Sequence, residues 1–347
     1  MIGKMRNSNF QRLEKITGDL FQSLEMTMKI FRSIAGSLLI SAGAARAEQV
    51  FASNSFWYAE IPADAPLHTN SANFVKEFAR QKKAYYGTVS INTTAYASPV
   101  YVVGPDVPTV RVTQWNCHGY MDKLFATEWA AVPIPAYAQQ ADGTDGEMTI
   151  WQPSTDRLWE FWQARKTNGE WQACWGGGME NVSKNIGIWP NNHGTTATSL
   201  PFIGGQITAD ELQRGEIKHA LGISLVDQET WQIRSWPATR SDGWNPKHEP
   251  NRIPEGLRFR LDPTLDVDSL KLGRAGKIIA KAAQKYGFVI WDKAGAISLR
   301  AENPKSFTTR GLPDPFPELF EKKPNYAVLE GVPWDRLQFL SMDYGKP

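Results

Sequence analysis

Residues 157–164 read Arg-Leu-Trp-Glu-Phe-Trp-Gln-Ala. Side chains alternate between faces along a strand. Leu158, Glu160 and Trp162 therefore share one face, and Arg157, Trp159, Phe161 and Gln163 share the other. Large aromatics on both faces predict a central strand. Glu160 is then a carboxylate among apolar neighbours, and desolvation raises its pKa toward the range a general acid needs. The plainer use of such a residue is structural, paired with an arginine or capping backbone amides.

A second strand pattern, 217–225, places His219 within an apolar stripe of Ile217, Leu221, Ile223 and Leu225. His219 is a candidate base, or a group that orients Glu160; a buried histidine that satisfies a backbone carbonyl is the alternative. Glycoside hydrolysis needs two carboxyls flanking the scissile bond. Glu147 is the candidate partner of Glu160. In 257–261, Arg258 and Arg260 share the face opposite Leu257, Phe259 and Leu261. Two guanidinium groups on one face suit the carboxylate of an acidic sugar, or ordinary salt bridges.

The chain holds 14 tryptophans. Trp151, Trp159, Trp162, Trp171, Trp175 and Trp189 fall within one short stretch. Exposed, such rings make a platform for sugar faces; buried, they are bulky core. Trp171 and Trp175 share a strand face at a spacing that spans successive sugars. Trp151, Trp159, Trp171 and Trp175 are the candidate sugar-stacking residues, with Arg258 and Arg260 as candidate contacts to acidic groups.

Other chemistries lack their patterns. Residues 142–147 (Asp-Gly-Thr-Asp-Gly-Glu) match no complete calcium loop, so a solvated turn is expected and a structural Ca²⁺ stays an alternative. His118, His193 and His248 lack zinc-type spacing, and no metal site is expected. Ser199 is not in a G-x-S-x-G elbow. Gly176-Gly177-Gly178 precedes no Lys-Ser/Thr helix start. No cofactor is expected.

These residues must be positioned by short elements. Runs rich in Val, Thr, Tyr and Trp between Gly, Pro, Asn and Asp clusters predict strands at 88–92, 100–103, 110–115, 148–152, 157–164 and 170–175. Later strands are expected at 217–225, 231–236, 257–261, 288–292 and 296–300, the last two joined as a hairpin through Lys293 to Gly295. Helices are expected after Ser71, after the capping box begun by Thr208 and closed by Glu211, and from Leu270 to Tyr286. A Pro-rich segment, 303–317, is expected to run over the surface. Many strands, few helices and no βαβ alternation predict a mainly β fold, a jelly-roll-like β-sandwich with a few short helices.

The N-terminal part reads as an export signal. Lys29 and Arg32 precede the apolar run 33–44 and the Ala45-Arg46-Ala47 cleavage pattern. Residues 28–47 are the expected signal peptide, with 1–27 an upstream extension and 48–347 a single secreted or periplasmic domain. Residues 1–47 carry seven basic residues against three acidic, so the remainder holds about −2 where the whole chain holds +2. With no basic run left, the domain has no electrostatic footprint for nucleic acid. No later segment is long and apolar enough to span a bilayer. Cys117 and Cys174 form one disulfide in an oxidising compartment, or remain two small buried thiols.

Several strings recur together in order: Trp151-Gln152-Pro153-Ser154-Thr155-Asp156, Trp159-Glu160-Phe161-Trp162, Ala197-Thr198-Ser199-Leu200-Pro201 with Gly204-Gly205, Lys218-His219-Ala220-Leu221, and Arg258-Phe259-Arg260-Leu261-Asp262-Pro263. In these the chain resembles a family of secreted bacterial proteins without an established activity. The resemblance covers most of residues 60–340 and implies export and one continuous domain. It carries over no catalytic role. Where the family has an acid-x-His pair, this chain has Asp145-Gly146-Glu147, so a His-dependent site is not expected there. The functional expectation is a secreted carbohydrate-active protein: a polysaccharide hydrolase, or a lyase with His219 as base. The alternative is a non-catalytic glycan-binding or envelope protein. Its expected partner is an extracellular polysaccharide.

Overall fold

The computed structural model describes residues 49–347. The expected extension and signal peptide lie outside the described residues. The elements begin with α1 (Ser71–Ala84), β1 (Ser90–Asn92), β2 (Val100–Val102), β3 (Val112–Gln114), α2 (Phe125–Glu128), β4 (Met148–Gln152) and β5 (Arg157–Trp162). Next come β6 (Arg165–Thr167), β7 (Glu170–Ala173), β8 (Trp175–Glu180), α3 (Phe202–Gly205), α4 (Ala209–Arg214) and β9 (Leu221–Leu225). The chain continues with β10 (Arg258–Leu261), α5 (Arg274–Lys285), β11 (Phe288–Lys293), β12 (Ser298–Arg300), α6 (Lys305–Thr308), α7 (Phe316–Leu319) and β13 (Leu337–Phe339).

Among the described residues the strands form three sheets, in the orders β1-β12-β9-β11-β10-β13, β2-β4-β5-β8 and β3-β7-β6. The protein is thus mainly β with short helices. The β1–β12, β9–β11, β2–β4 and β3–β7 ladders are parallel and the others antiparallel. A jelly roll is an antiparallel architecture, so this mixed pairing does not establish one.

Three buried clusters order the sheets. The largest packs α1 and α5 on the first sheet through Phe78, Ile279, Ile223, Phe259 and Ile290. On β11, Val289 and Trp291 point the opposite way and join Leu158 and Trp151 of the second sheet in a second cluster. Trp159 and Phe161, on the other face of β5, build a third with Trp129 and Phe125. Both faces of β5 are buried and β5 lies between β4 and β8, as its two aromatic faces predict.

Several elements depart from expectation for identifiable reasons. β11 and β12 form no hairpin: β9 lies between them, parallel to β11 and antiparallel to β12. Residues 231–236 are not a strand; Trp231 and Ile233 are exposed and their alternation faces no sheet. Ser71 does not cap α1: its hydroxyl accepts the Phe339 amide at 3.0 Å, tying the helix start to β13. α5 begins at Arg274, after a short 3-10 turn. The start of the 303–317 segment is interior, where Asn303 donates to Ala97 O at 3.0 Å. The Thr208–Glu211 capping box and Gly215 stop of α4 form as expected.

β8 is the element the pattern hides. Its Gly176-Gly177-Gly178 core looks unlike a strand, because glycine has no side chain to pack there. Contact explains it. A Cβ on Gly176 would collide with the Glu160 carbonyl, and one on Gly177 would meet the Trp189 ring at 2.8 Å. Glycine lets β8 approach β5 and Trp189 closely. Among the described residues, no helix is long and apolar enough to cross a membrane.

Candidate functional site

The end of β5 and the start of β8 are paired, Trp162 directly opposite Trp175. Opposite residues on adjacent strands share a face, so the two indoles form one wall. That wall borders a cleft of about 530 Å³, closed by the 195–197 segment, the 240–242 loop and the end of β11. This size suits a small ligand or a few units of a polymer. His118 stacks on Trp162, with ring centroids 5.4 Å apart and planes 11° from parallel. Arg240 lies over Trp175 at 5.8 Å and donates to the carbonyls of Gly194 and Thr196 at 2.8 and 2.7 Å.

Asp145, Asp242 and Asp292 line the same cleft. Asp292 reaches it through a strand irregularity. The β9–β11 register advances by one between Ile290 and Asp292, so Asp292 pairs with Ser224. A bulge turns the residue after it to the other face. Asp292 thereby faces the second sheet instead of the helices. Burial raises its carboxyl to about 7, with the Asp242 and Asp145 charges adding to the rise and Arg300 opposing it.

Arg300 holds Asp292 from behind. Its Nη2 donates to Asp292 Oδ2 and its Nη1 to Glu147 Oε1, each at 2.9 Å. Glu147 is fully buried, and that burial raises it to about 7 despite Arg300. Glu255 stands behind Asp242. Its Oε2 accepts the Asp242 amide at 3.2 Å, and burial with the Asp242 charge raises it well above the usual carboxylate range.

Glu160 lies beneath the cleft rather than on its wall. It accepts from Thr195 Oγ1 at 2.9 Å and from the Phe202 and Ile203 amides at 3.1 Å each. It anchors the start of α3 and holds Thr195, which does line the cleft. Burial raises it to about 7, and the amide bonds limit the rise. His219, expected within a strand over 217–225, sits instead in a bend just before β9, which begins at Leu221, and away from the cleft. Its Nδ1 donates to the Ala220 carbonyl at 2.8 Å, and its Nε2 meets Glu211 Oε1 at 3.0 Å. Burial acts to raise Glu211, but His219 outweighs it and holds Glu211 down at about 2.

Of the other candidates, Trp175 alone reaches the cleft. Trp151, Trp159 and Trp171 are core residues, 3%, 1% and 7% exposed. Trp159 Nε1 donates to the Glu128 carbonyl at 2.9 Å. Arg258 is buried with Nη2 on the Tyr286 carbonyl, and burial lowers its pKa to about 10. Arg260 clasps the Pro62 and Ala63 carbonyls at 2.8 Å each. The two arginines thus organise the backbone of their own domain. In 142–147, Asp142 pairs with Lys305 at 2.6 Å and Glu147 with Arg300.

Sequence reasoning missed Asp242, Asp292, Glu255 and Arg240, and did not select Trp162 for stacking. An acid directly after the apolar run Phe288–Trp291, with Arg300 eight residues on, was the available signal for Asp292. Asp242 lies in a long irregular loop and gave none. Cys117 and Cys174 are joined in a disulfide with Cα atoms 5.7 Å apart, and both line the cleft. None of the family models, curated proteins or solved structures compared with this chain is similar to it.

Proposed function

We propose that the protein is a polysaccharide hydrolase acting outside the cytoplasm, with its centre in the Trp162–Trp175 cleft. One observation carries the reading: three carboxylates and a cross-strand tryptophan pair border the same cavity. The indoles stack sugar faces. Asp292, raised to about 7, keeps a proton near neutrality and acts as the acid on the leaving oxygen. Asp242, which borders the same cavity, is the second carboxyl and serves as base or nucleophile. Glu160 and Glu147, singled out by sequence, enter as positioning residues. Glu160 fixes Thr195 and α3, and Glu147 fixes Arg300. The cluster shared by Trp291, Trp151 and Leu158 supports a sandwich-type scaffold. The signal pattern and the disulfide support an oxidising, exported setting.

The test is a reducing-end and ultraviolet product screen over neutral and acidic polysaccharides, run beside Asp292→Asn and Asp242→Asn. New reducing ends are expected, falling by about 100-fold or more in either variant. Unsaturated products absorbing in the ultraviolet would identify a lyase instead. The tryptophan wall alone also favours a second reading, glycan binding without turnover. Tight binding with no product from any polysaccharide would establish that reading and end the hydrolase proposal.

A further inference from the structure

We propose that Cys117, Cys174 and His118 form a zinc site that alternates with the disulfide at the lip of the cleft. Their ligand atoms all lie within 4.8 Å of one another. Ligands around one tetrahedral zinc lie roughly 3.5–4 Å apart, given Zn–S near 2.3 Å and Zn–N near 2.0 Å. Opening the bridge must carry the two sulfurs apart to that spacing. Two thiolates and an imidazole are soft ligands that select zinc over calcium or magnesium. All three residues line the cleft, so a fourth ligand comes from the cleft itself.

The site survives loss of the bridge because the backbone on both sides of it is held independently. β3 and β7 pair in parallel, Gln114 opposite Ala173. Trp115 N donates to the Ala173 carbonyl at 3.0 Å, and Gln114 Nε2 donates to the Cys174 carbonyl at 3.0 Å. The loop after Cys117 is closed by the Asp122 amide on Gln114 Oε1 at 2.7 Å. His118 is held flat against Trp162. None of these contacts uses the sulfur–sulfur bond.

The exchange needs a dithiol reductant. One of its thiolates attacks the sulfur of Cys117, the half-buried residue of the pair, where Cys174 is buried. The sulfur–sulfur bond breaks, both cysteines become thiols, and the dithiol becomes a disulfide, a transfer of two electrons and two protons. Zinc then displaces the two thiol protons to solvent. This inference does not rest on the glycan reading.

The test reduces the protein with a phosphine under argon, removes the reductant, and titrates zinc by calorimetry and cobalt by absorption. The reduced protein is expected to take one equivalent of zinc that a chelator removes, and the oxidised protein none. The cobalt form is expected to show thiolate-to-metal absorption. His118→Ala is expected to weaken zinc binding by about tenfold or more. Near-ultraviolet circular dichroism follows the fold throughout. The proposal is overturned if the reduced protein takes no more zinc than the oxidised one, or if His118→Ala binds as tightly as the parent. It is equally overturned if reduction abolishes the tertiary signal, since the β3–β7 framework must outlast the bridge.

Discussion

Arg300 and Asp292 meet end to end behind the cleft, Nη2 to Oδ2 at 2.9 Å, and the same guanidinium holds Glu147. One cation therefore serves two carboxyls, both of which burial raises to about 7. The side chain of Arg300 is only 4% exposed and that of Glu147 is 0%. Removing one member of such a buried pair leaves an uncompensated charge.

Arg300→Gln is accordingly expected to destabilise the fold by about 3–5 kcal/mol, read from denaturant unfolding. Arg300 holds Asp292 down, so its loss raises that carboxyl further. In whatever protein survives, the alkaline limb of a pH–rate profile moves upward. An unchanged limb together with unchanged stability would show that the bridge matters to neither.

Glu160→Gln separates positioning from catalysis. The carboxylate accepts three bonds, from Thr195 and the two α3 amides. An amide presents an NH₂ to one of those donors, and an orphaned buried donor costs about 1–3 kcal/mol. The expected result is a lower unfolding midpoint with turnover retained at a temperature where the variant is folded. Complete loss of turnover in a stably folded Glu160→Gln would return the acid role to this residue and displace Asp292.

The tryptophans divide by site. Trp175→Ala removes half of the cleft wall and is expected to weaken glycan binding by about tenfold, the equivalent of roughly 1.4 kcal/mol. Its effect on stability is the smaller one, because the ring is only half-buried. Trp159→Ala, 1% exposed and bonded to the Glu128 carbonyl, is expected to cost about 3–5 kcal/mol of stability. Affinity measurements beside thermal scans check both; a reversal of the pattern would move the binding surface elsewhere.

Much of the scaffold was legible in the sequence where a local rule decided it. The β4 strand, the β5 alternation, the α4 capping box and the burial of both faces of β5 follow from residue types and spacing. The site was less legible because it depends on relations that spacing does not encode. Trp162 and Trp175 become neighbours only when β8 pairs with β5, and β8 is disguised by three glycines whose reason is the backbone and ring beside them. Asp292 faces the cleft only because of the β11 bulge, which breaks the period-two rule. Arg258 and Arg260 alternate as expected, but their opposite face is interior and offers backbone carbonyls instead of a ligand.

Stability should peak in mildly acidic solution, for reasons that can be assigned group by group. Glu147, Glu160 and Asp292 are all raised by burial to about 7. The folded state then binds more protons than the unfolded state between about pH 4 and 7, so their contribution is complete below that window and is lost as pH rises through it. His193 acts in the same direction. Its ring is buried with Nδ1 facing Glu128 at 3.0 Å and Nε2 facing Asp122 at 3.3 Å, and holding both carboxylates requires two N–H donors. Burial lowers its pKa, but the two carboxylates prevail and raise it above 6.5. The Arg240 bonds to neighbouring carbonyls leave that clamp to the two acids. The His193 contribution is therefore present below 6.5 and lost as pH climbs through the raised value. Glu211 sets the other flank: held at about 2 by His219, it stabilises above its ordinary 4.5 and that gain is lost as pH falls toward 2. The thermal midpoint is expected to be highest near about pH 4 and to fall by roughly 5 °C or more by about pH 8. Glu147→Gln should flatten the alkaline flank, and His193→Gln should flatten it above about pH 6.5. A midpoint that stays level or rises from about pH 5 to 8 would show that these buried carboxyls are ionised in the native protein.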